Sequence, residues 1–336
     1  MYRFTTDKSK EKFKYHNLFA GIFLILCMIN NSSNLSIIIP YRNRAKYIGS
    51  LLHSLKEQKQ VETKVEIIFV DNGSSDSSHE IVDKWIVSEA SDWMSIKHIT
   101  ENKIGASVAR NRGIENSESE WVIFFDSDDL MPETHIFSVL KSIQEHPNVD
   151  LVYWRAIFND EHGRKKIKHG KRQSRDIDVV IHSVWATQRY AVKRNFLLSA
   201  GAWNDSLKVW DDWELAVRLL LNNPLSYYEK KIPPVVVNIH RDSITGIGFS
   251  HSMGQWESAL SEARKQGEYF QRRDILKLLS FKESVLAANY KREKNFSASI
   301  KLIHDLKERK RFGLRNRLAY YWQCIIGKGS SIFLFF

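Results

Sequence analysis

Cysteine is nearly absent: the 336 residues hold two, Cys27 and Cys324. Both lie in apolar stretches, and neither belongs to a Cys-x-x-Cys pattern. A disulfide framework and a cysteine-based zinc site are thereby excluded, and a reducing compartment is the simplest inference. The N-terminal apolar run is also too short to cross a bilayer as a helix. Residues 18–29 number twelve, where about 20 are needed. No small-residue cleavage pattern follows in Asn30-Asn31-Ser32-Ser33, which argues against a secretory leader. Preceded by five Lys/Arg and two acids, this run is expected to be a short interfacial anchor upstream of the fold. No internal repeat and no low-complexity segment stands out.

Charge is present in one-sided excess. Lysine and arginine outnumber aspartate and glutamate by 50 to 39, a formal charge of +11. The surplus is local: residues 163–175 carry seven Lys/Arg and no acid, and residues 306–317 carry six against Glu308. Such clusters suit phosphorylated substrates or anionic lipid headgroups, and the 163–175 run equally suits an exposed hairpin or loop. No nucleic-acid partner is expected. A nucleic-acid groove interleaves its cations with aromatics, whereas here the acids gather at strand ends. A hydrophobic content of 43% supplies a real core.

Short apolar runs at 35–40, 65–70, 95–99 and 121–125 predict strands, and the apolar spacing at 45–58, 79–90 and 105–116 predicts intervening helices. Alternation at this rhythm means an α/β domain with a mostly parallel sheet flanked by helices. A further helix ends near residue 147, a strand is expected at 150–158, and residues 179–192 are ambiguous. A helix at 213–221 and a strand at 235–239 follow, and beyond about 250 only helices are predicted, at 257–270, 273–289 and 297–309. The expected organisation is an extension at 1–34, an α/β unit at 35–250 with halves at 35–135 and 136–250, and a helical region at 251–336. Its basic tail, with Tyr320, Tyr321, Trp322, Ile325 and Ile326, fits either an anionic membrane face or packing within the protein.

In a parallel sheet, ligands sit beyond the carboxyl ends of the strands. The residues there are Pro40-Tyr41-Arg42-Asn43-Arg44, Asp71-Asn72-Gly73, Asn102-Lys103 and Asp126-Ser127-Asp128-Asp129. The last group hands three carboxylates to one loop. Acids two positions apart at a strand end point the same way, and a hard cation such as Mg²⁺ or Mn²⁺ takes oxygen ligands and is shared with phosphates. Capping the next helix is the plain alternative. The first group offers an aromatic face and two guanidinium groups to a base and its phosphates. Asp71 is an acceptor for an imide N–H or a ribose hydroxyl, beside ordinary turn chemistry. Arg110 and Arg112 lie one turn into a helix of small residues, where one suits a diphosphate, or where both pair on the surface with Glu115 or Glu118. In Trp210-Asp211-Asp212-Trp213, aromatic faces suit sugar rings and a shielded carboxylate has the raised pKa of a general base. An N-cap among core tryptophans is the simpler reading of that piece alone.

Five segments, SIIIPYRNRAKYI, EIIFVDNGSSDSS, NKIGASVARNRGIENSESEWVIFFDSDD, WDDWELAVRL and NIHRDSITG, resemble the family-2 glycosyltransferases of the GT-A fold, in order and in spacing. The resemblance covers residues 35–246 and implies a Rossmann-like sheet flanked by helices. It further implies a metal-dependent, inverting transfer from a nucleotide-diphosphate sugar, a UDP-sugar here, to a glycan or lipid-linked acceptor in surface polysaccharide synthesis. Position by position, Asp71 matches the acid that binds the base and Arg110 the arginine near the nucleotide. Asp128 matches the direct ligand of Mn²⁺ or Mg²⁺, Asp126 lies nearer the ribose, and Asp129 extends this D-x-D motif. Asp212 matches the catalytic base with Asp211 beside it, and His240 a histidine that reaches the diphosphate or the metal. Pro40, Tyr41, Arg42 and Asn43 complete the expected donor contacts. Two positions depart from the pattern: Asp211-Asp212 replaces Glu-Asp, and Asn72 replaces a second acid often found after Asp71. The implied location is cytoplasmic, peripheral at the inner membrane face. A non-catalytic glycan-binding relative is disfavoured by the intact Asp126, Asp128 and Asp212. A sugar-phosphate nucleotidyltransferase would want a glycine- and lysine-rich loop at residues 40–44, where neither residue occurs.

Overall fold

The computed structural model describes residues 34–160, 162–168, 175–240 and 248–326. The expected anchor at 18–29 with Cys27, part of the basic 163–175 run, the end of the last motif and the terminal aromatic residues lie outside the described residues. Strands β1 (Leu35–Tyr41), β2 (Val65–Asp71), β3 (Met94–Thr100) and β4 (Trp121–Phe124) alternate with helices α1 (Ile48–Lys56), α2 (Ser78–Glu89) and α3 (Ala106–Glu115). Next come α4 (His135–Glu145), β5 (Leu151–Tyr153), β6 (Ala156–Asp160), β7 (Lys165–Lys168), α5 (Arg175–Val180) and β8 (Tyr190–Lys193). They are followed by α6 (Arg194–Ser199), α7 (Asp211–Leu221), β9 (Ser226–Tyr228) and β10 (Val235–Ile239). Helices α8 (Gln255–Tyr269), α9 (Arg273–Arg292), α10 (Phe296–Glu308) and α11 (Leu314–Ile326) complete the described chain.

Seven strands form one sheet in the order β3-β2-β1-β4-β8-β5-β9. The first four run parallel, and β8 is antiparallel to both β4 and β5. β1, β2 and β4 are buried throughout, which is why they read as apolar runs, interrupted only by Ser36, Glu66 and the terminal Asp71. One face is covered by α1, α2 and α4 through Leu51, Val82 and Val139, and the other by α3 and α7 through Ala109 and Leu219. α3 approaches β1 so closely that a Cβ on Gly113 would overlap Ile38 Cγ2.

The single strand expected at 150–158 is two strands in two sheets. β5 belongs to the large sheet, and β6 to a small one ordered β10-β6-β7. Trp154 sits at the changeover, fully buried, with its indole N–H donating to the Gln188 carbonyl at 3.0 Å. An apolar run carries no mark of a change of sheet, so sequence periodicity merges the two. The ambiguous 179–192 stretch resolves into the end of α5 and the short strand β8. In the basic run, β7 pairs antiparallel with β6, the hairpin that was the plain reading.

The C-terminal helices pack against α7. Trp256 of α8 meets Trp210 edge to face at 4.9 Å, and Lys282 Nζ of α9 lies 4.7 Å over Trp210 and 4.6 Å over Trp213. α11 buries Ala319 and Gln323 but exposes Leu314, Leu318, Tyr321 and Ile325. No helix among the described residues is long and apolar enough to cross a membrane.

Candidate active site

The parallel strands end at one rim, and the loop after β4 brings its acids there. They take three different roles. Asp129 is buried, with Oδ1 accepting the Asn238 N–H at 2.8 Å and Oδ2 accepting from the Gln188 amide. Burial, followed by repulsion from Asp126 and Asp128, holds its carboxyl well above the usual range. It therefore acts as a clamp between β10 and the acidic loop. The Asn238 amide adds a bond to the Asp128 carbonyl at 2.7 Å. This stitching sets His240, two residues on, with Nε2 2.8 Å from Asp128 Oδ2. Tyr47 stacks on the His240 ring at 4.4 Å, and Arg44 Nε lies 3.8 Å from the same Asp128 oxygen. Asp126 turns elsewhere: Oδ1 accepts from Arg110 at 2.8 Å and Oδ2 from Gln188 at 3.0 Å. Of the three expected metal ligands, the structure thus joins Asp128 with His240 and holds Asp126 apart from them.

Arg110 is the hub of the rim. Its guanidinium is buried between Asp126 and Asp211, 2.9 Å from Asp211 Oδ2, and lies 4.3 Å over the Trp203 ring. Ser107 donates to the same Asp211 oxygen at 2.8 Å. α7 is in turn anchored by Arg218, which pairs with Glu214 at 2.8 Å and donates to the Ala202 carbonyl at 2.6 Å. Asp212, next to Asp211, keeps partial solvent contact and accepts the Trp213 N–H at 2.7 Å. Desolvation and then the adjacent Asp211 push its pKa up to about 6, opposed by Arg110. The two neighbouring acids therefore differ in their partners: Asp211 is ion-paired with Arg110 and hydrogen-bonded by Ser107, while Asp212 has neither and carries a raised pKa. Arg112 pairs with Glu115 on the surface, at 3.2 Å, and has no part in the rim.

The tryptophans flanking these acids face the protein. Trp213 is buried with its N–H on the Val180 carbonyl at 2.9 Å, and Trp210 packs on Trp256 and Lys282. The core reading holds for Trp213, while Trp210 is half-buried against the core. Tyr41 is also buried rather than presented on the rim, with its hydroxyl 2.5 Å from His98 Nε2. Pro40 is buried inside β1, and Arg42 is exposed.

Asp71 ends β2, with Oδ1 accepting the Ser74 N–H at 2.9 Å and Oδ2 lying 2.9 Å from His79 Nδ1. Asn43 adopts a left-handed backbone (φ 51°) and ties the first loop to the second, accepting the Ser75 N–H at 2.8 Å. Asn72 has a structural reason to be an amide. It donates to the carbonyls of Glu101 and Lys103, at 3.0 and 2.9 Å, and accepts the Gly105 N–H at 2.8 Å. A carboxylate cannot donate, so an acid here would leave both carbonyls without this partner.

Gln188 and Tyr47 are the rim residues that sequence reasoning missed. Gln188 precedes an antiparallel strand, so it enters the rim from the end at which its neighbours leave. Arg44, one of the two guanidinium groups expected to meet phosphates, reaches the rim beside Asp128, whereas nothing in the spacing of Tyr47 pointed there.

Residues 36–197 match the family model described as Glycosyl transferase family 2. Over these residues the chain carries a domain of this family. Within it, the chain is 36% identical over 131 residues to glycosyltransferase GlyG of Streptococcus pneumoniae serotype 4, covering 39% of this chain and 41% of that protein. It is 32% identical over 111 residues to poly(ribitol-phosphate) beta-N-acetylglucosaminyltransferase TarS of Staphylococcus aureus, covering 33% of this chain and 19% of TarS. The chain thus spans well under half the length of these two relatives. The crystal structure of TarS 1–349 in complex with UDP-GlcNAc superposes with TM-score 0.54 at 17% identity, covering 82% of this chain and 92% of that one. Mannosyltransferase PcManGT from Pyrobaculum calidifontis, in complex with GDP-Man and Mn²⁺, gives 0.53 at 16% identity over 88% of both chains. These likenesses identify the GT-A-type fold of this family 2 chain.

Proposed function

We propose that this family 2 glycosyltransferase is metal-dependent and inverting, and moves a sugar from a UDP-sugar to a glycan or lipid-linked acceptor in surface polysaccharide synthesis. The observation that carries the reading is the division of labour on the rim. A carboxylate–imidazole pair, Asp128–His240, stands apart from a second carboxylate, Asp212, whose pKa is raised toward that of a general base. The donor set fits a divalent ion: Asp128 offers oxygen and His240 nitrogen, with Arg44 adding positive charge for a diphosphate. When bound there, such an ion supplies Lewis-acid stabilisation for the departing diphosphate.

The protein's own residues do the rest. Asp71 accepts from the base, and Asp126, steered by Arg110 and Gln188, faces the ribose. Asp212 removes the proton from the acceptor hydroxyl as it attacks the anomeric carbon opposite the leaving group. One displacement without a covalent enzyme intermediate inverts configuration. Trp213 N–H orients the Asp212 carboxylate, and Arg110 keeps it from rising so far that it stays protonated at neutral pH.

A thermal-shift screen of nucleotides with and without metal tests the reading. UDP plus Mn²⁺ is expected to stabilise the chain by about 2.7 kcal/mol at a ligand concentration one-hundredfold above Kd. Mn²⁺ should exceed Mg²⁺, because an imidazole ligand suits the softer ion, and EDTA should remove most of the effect. Absence of a shift with every nucleotide tried would refute a donor site here.

Peripheral membrane contact belongs to the same proposal. Leu314, Leu318, Tyr321 and Ile325 form an exposed stripe on α11, and Arg311, Arg315 and Arg317 lie in or just before that helix. Apolar anchors beside cations suit an anionic interface. The full chain is expected to float with phosphatidylglycerol-containing vesicles but not with phosphatidylcholine alone, and Leu318→Glu/Tyr321→Glu should reduce flotation at least about tenfold. Equal flotation of the double variant would rule out this face.

A further inference from the structure

A second group of metal-type side chains lies away from Asp128, and the transfer reaction does not use it. We propose that His79, Asp83 and His98 form a binding site for a borderline divalent transition metal, zinc foremost. His79 and Asp83 are one turn apart on α2 and share a face. His98 reaches the same point from β3, and its ring stacks on His79 with centroids 4.4 Å apart. One ligand atom from each of the three lies within 4.8 Å of the others. His79 Nε2 is 3.4 Å from Asp83 Oδ2, and His98 Nδ1 is 2.7 Å from Asp83 Oδ1. Tetrahedral zinc with bonds of about 2.0–2.1 Å sets its ligands about 3.3 Å apart. The observed separations lie either side of that value, so small side-chain movements admit the ion.

The second observation concerns the ring nitrogens that face away. His79 Nδ1 lies 2.9 Å from Asp71 Oδ2, and His98 Nε2 lies 2.5 Å from the Tyr41 hydroxyl. Metal-bound histidines characteristically have such outer partners, which fix the tautomer and leave the other nitrogen's lone pair for the ion. These partners anchor both rings beside Asp83, and turning one ring out of the stack aims its free lone pair at an ion shared with the other. Access is graded: Asp71 and Tyr41 are buried, the His98 side chain is 10% exposed and Asp83 56% exposed. The site thus has a fixed floor and an open mouth, with a coordination position left for water. Two imidazoles with one carboxylate favour zinc, nickel or cobalt over Mg²⁺.

The site also touches the donor pocket. A metal that immobilises His79 fixes the partner of Asp71 Oδ2, so metal binding is coupled to nucleotide affinity. This coupling rests on Asp71 acting as the base acceptor, whereas metal binding itself does not.

The test uses the full chain, stripped with chelator, desalted and titrated with zinc against a chromophoric indicator in the absence of nucleotide. One saturable equivalent is expected whose affinity falls at least about tenfold in Asp83→Asn and in His79→Gln. Asp128→Asn, which alters the separate cluster of Asp128, His240 and Arg44, should leave it in place. X-ray absorption of the zinc-loaded chain should show two imidazoles. Circular dichroism checks that the variants fold, which the exposure of Asp83 favours. No saturable binding would overturn the site, and so would binding lost in Asp128→Asn but intact in Asp83→Asn. UDP affinity measured with and without zinc then reads the coupling, and a change of about threefold or more is expected. Unchanged affinity with zinc bound would overturn the link to Asp71 alone, whereas no UDP binding in either state would overturn the donor reading and leave the metal site standing.

Discussion

Asp212→Asn is expected to lower kcat by about 10²–10⁴-fold, the usual contribution of a general base, while UDP affinity stays within about twofold. For the unaltered chain, kcat/KM should rise with pH through an acidic limb near 6, since the base acts in its ionised form and its pKa is raised to about 6. The same shift makes a stability prediction of fixed sign. A folded-state pKa above the ordinary carboxylate value means that the native protein holds more protons than the unfolded chain between about pH 4 and 6. Stability from this group therefore falls as pH rises across that window. Asparagine carries no such charge, so the variant should be more stable at pH 7.5, by on the order of 1 kcal/mol once partial solvent contact is allowed for. An inactive protein that melts higher separates loss of chemistry from loss of fold. Turnover near normal in Asp212→Asn would remove the residue from its role, and denaturant titration at pH 4.5 and 7.5 checks the slope.

Arg110→Ala carries the largest expected cost in stability. Its buried guanidinium bridges Asp126 and Asp211 and covers Trp203. Removing one member of a buried charge group leaves its partners uncompensated, at about 3–5 kcal/mol. Urea titration should show a lower midpoint with little change in slope. The variant should also shift the acidic limb of the pH–rate profile upward, because Arg110 is the positive charge that opposes the rise of the Asp212 pKa. Arg110→Lys keeps the charge but not the fork that reaches two carboxylates, so it should fall between the two. A midpoint equal to the unaltered chain's would mean that the bridge contributes nothing.

The legible parts of this fold are those where burial imposes one pattern. β1, β2 and β4 are apolar on both faces and announced themselves. The helices between them showed an apolar stripe. The short antiparallel strand β8 did not, since three apolar residues between helical turns fit several readings. The same geometry hid Gln188. Inspecting the residues after each strand finds Asp71, Asp126 and Asp128, but an antiparallel neighbour contributes to that rim from its beginning. The tryptophans around Asp211 and Asp212 admitted two readings, a sugar platform or a packed core, and the packing of α8 and α9 decides for the second at Trp213. Asn72 looked like a defect in a motif until its three hydrogen bonds appeared; no spacing rule states that two carbonyls wait for a donor there.

Gly113 has a consequence that reaches beyond its own contact. It sits three residues after Arg110 on the same helix, pressed to β1, the strand beside the one that delivers Asp126. The missing methyl works as a shim: it sets the spacing at which the guanidinium meets its carboxylates. Drift at this position cannot proceed by small enlargements, because the first added carbon already levers the helix outward. The electrostatics of the rim are thus calibrated by an atom that is not there.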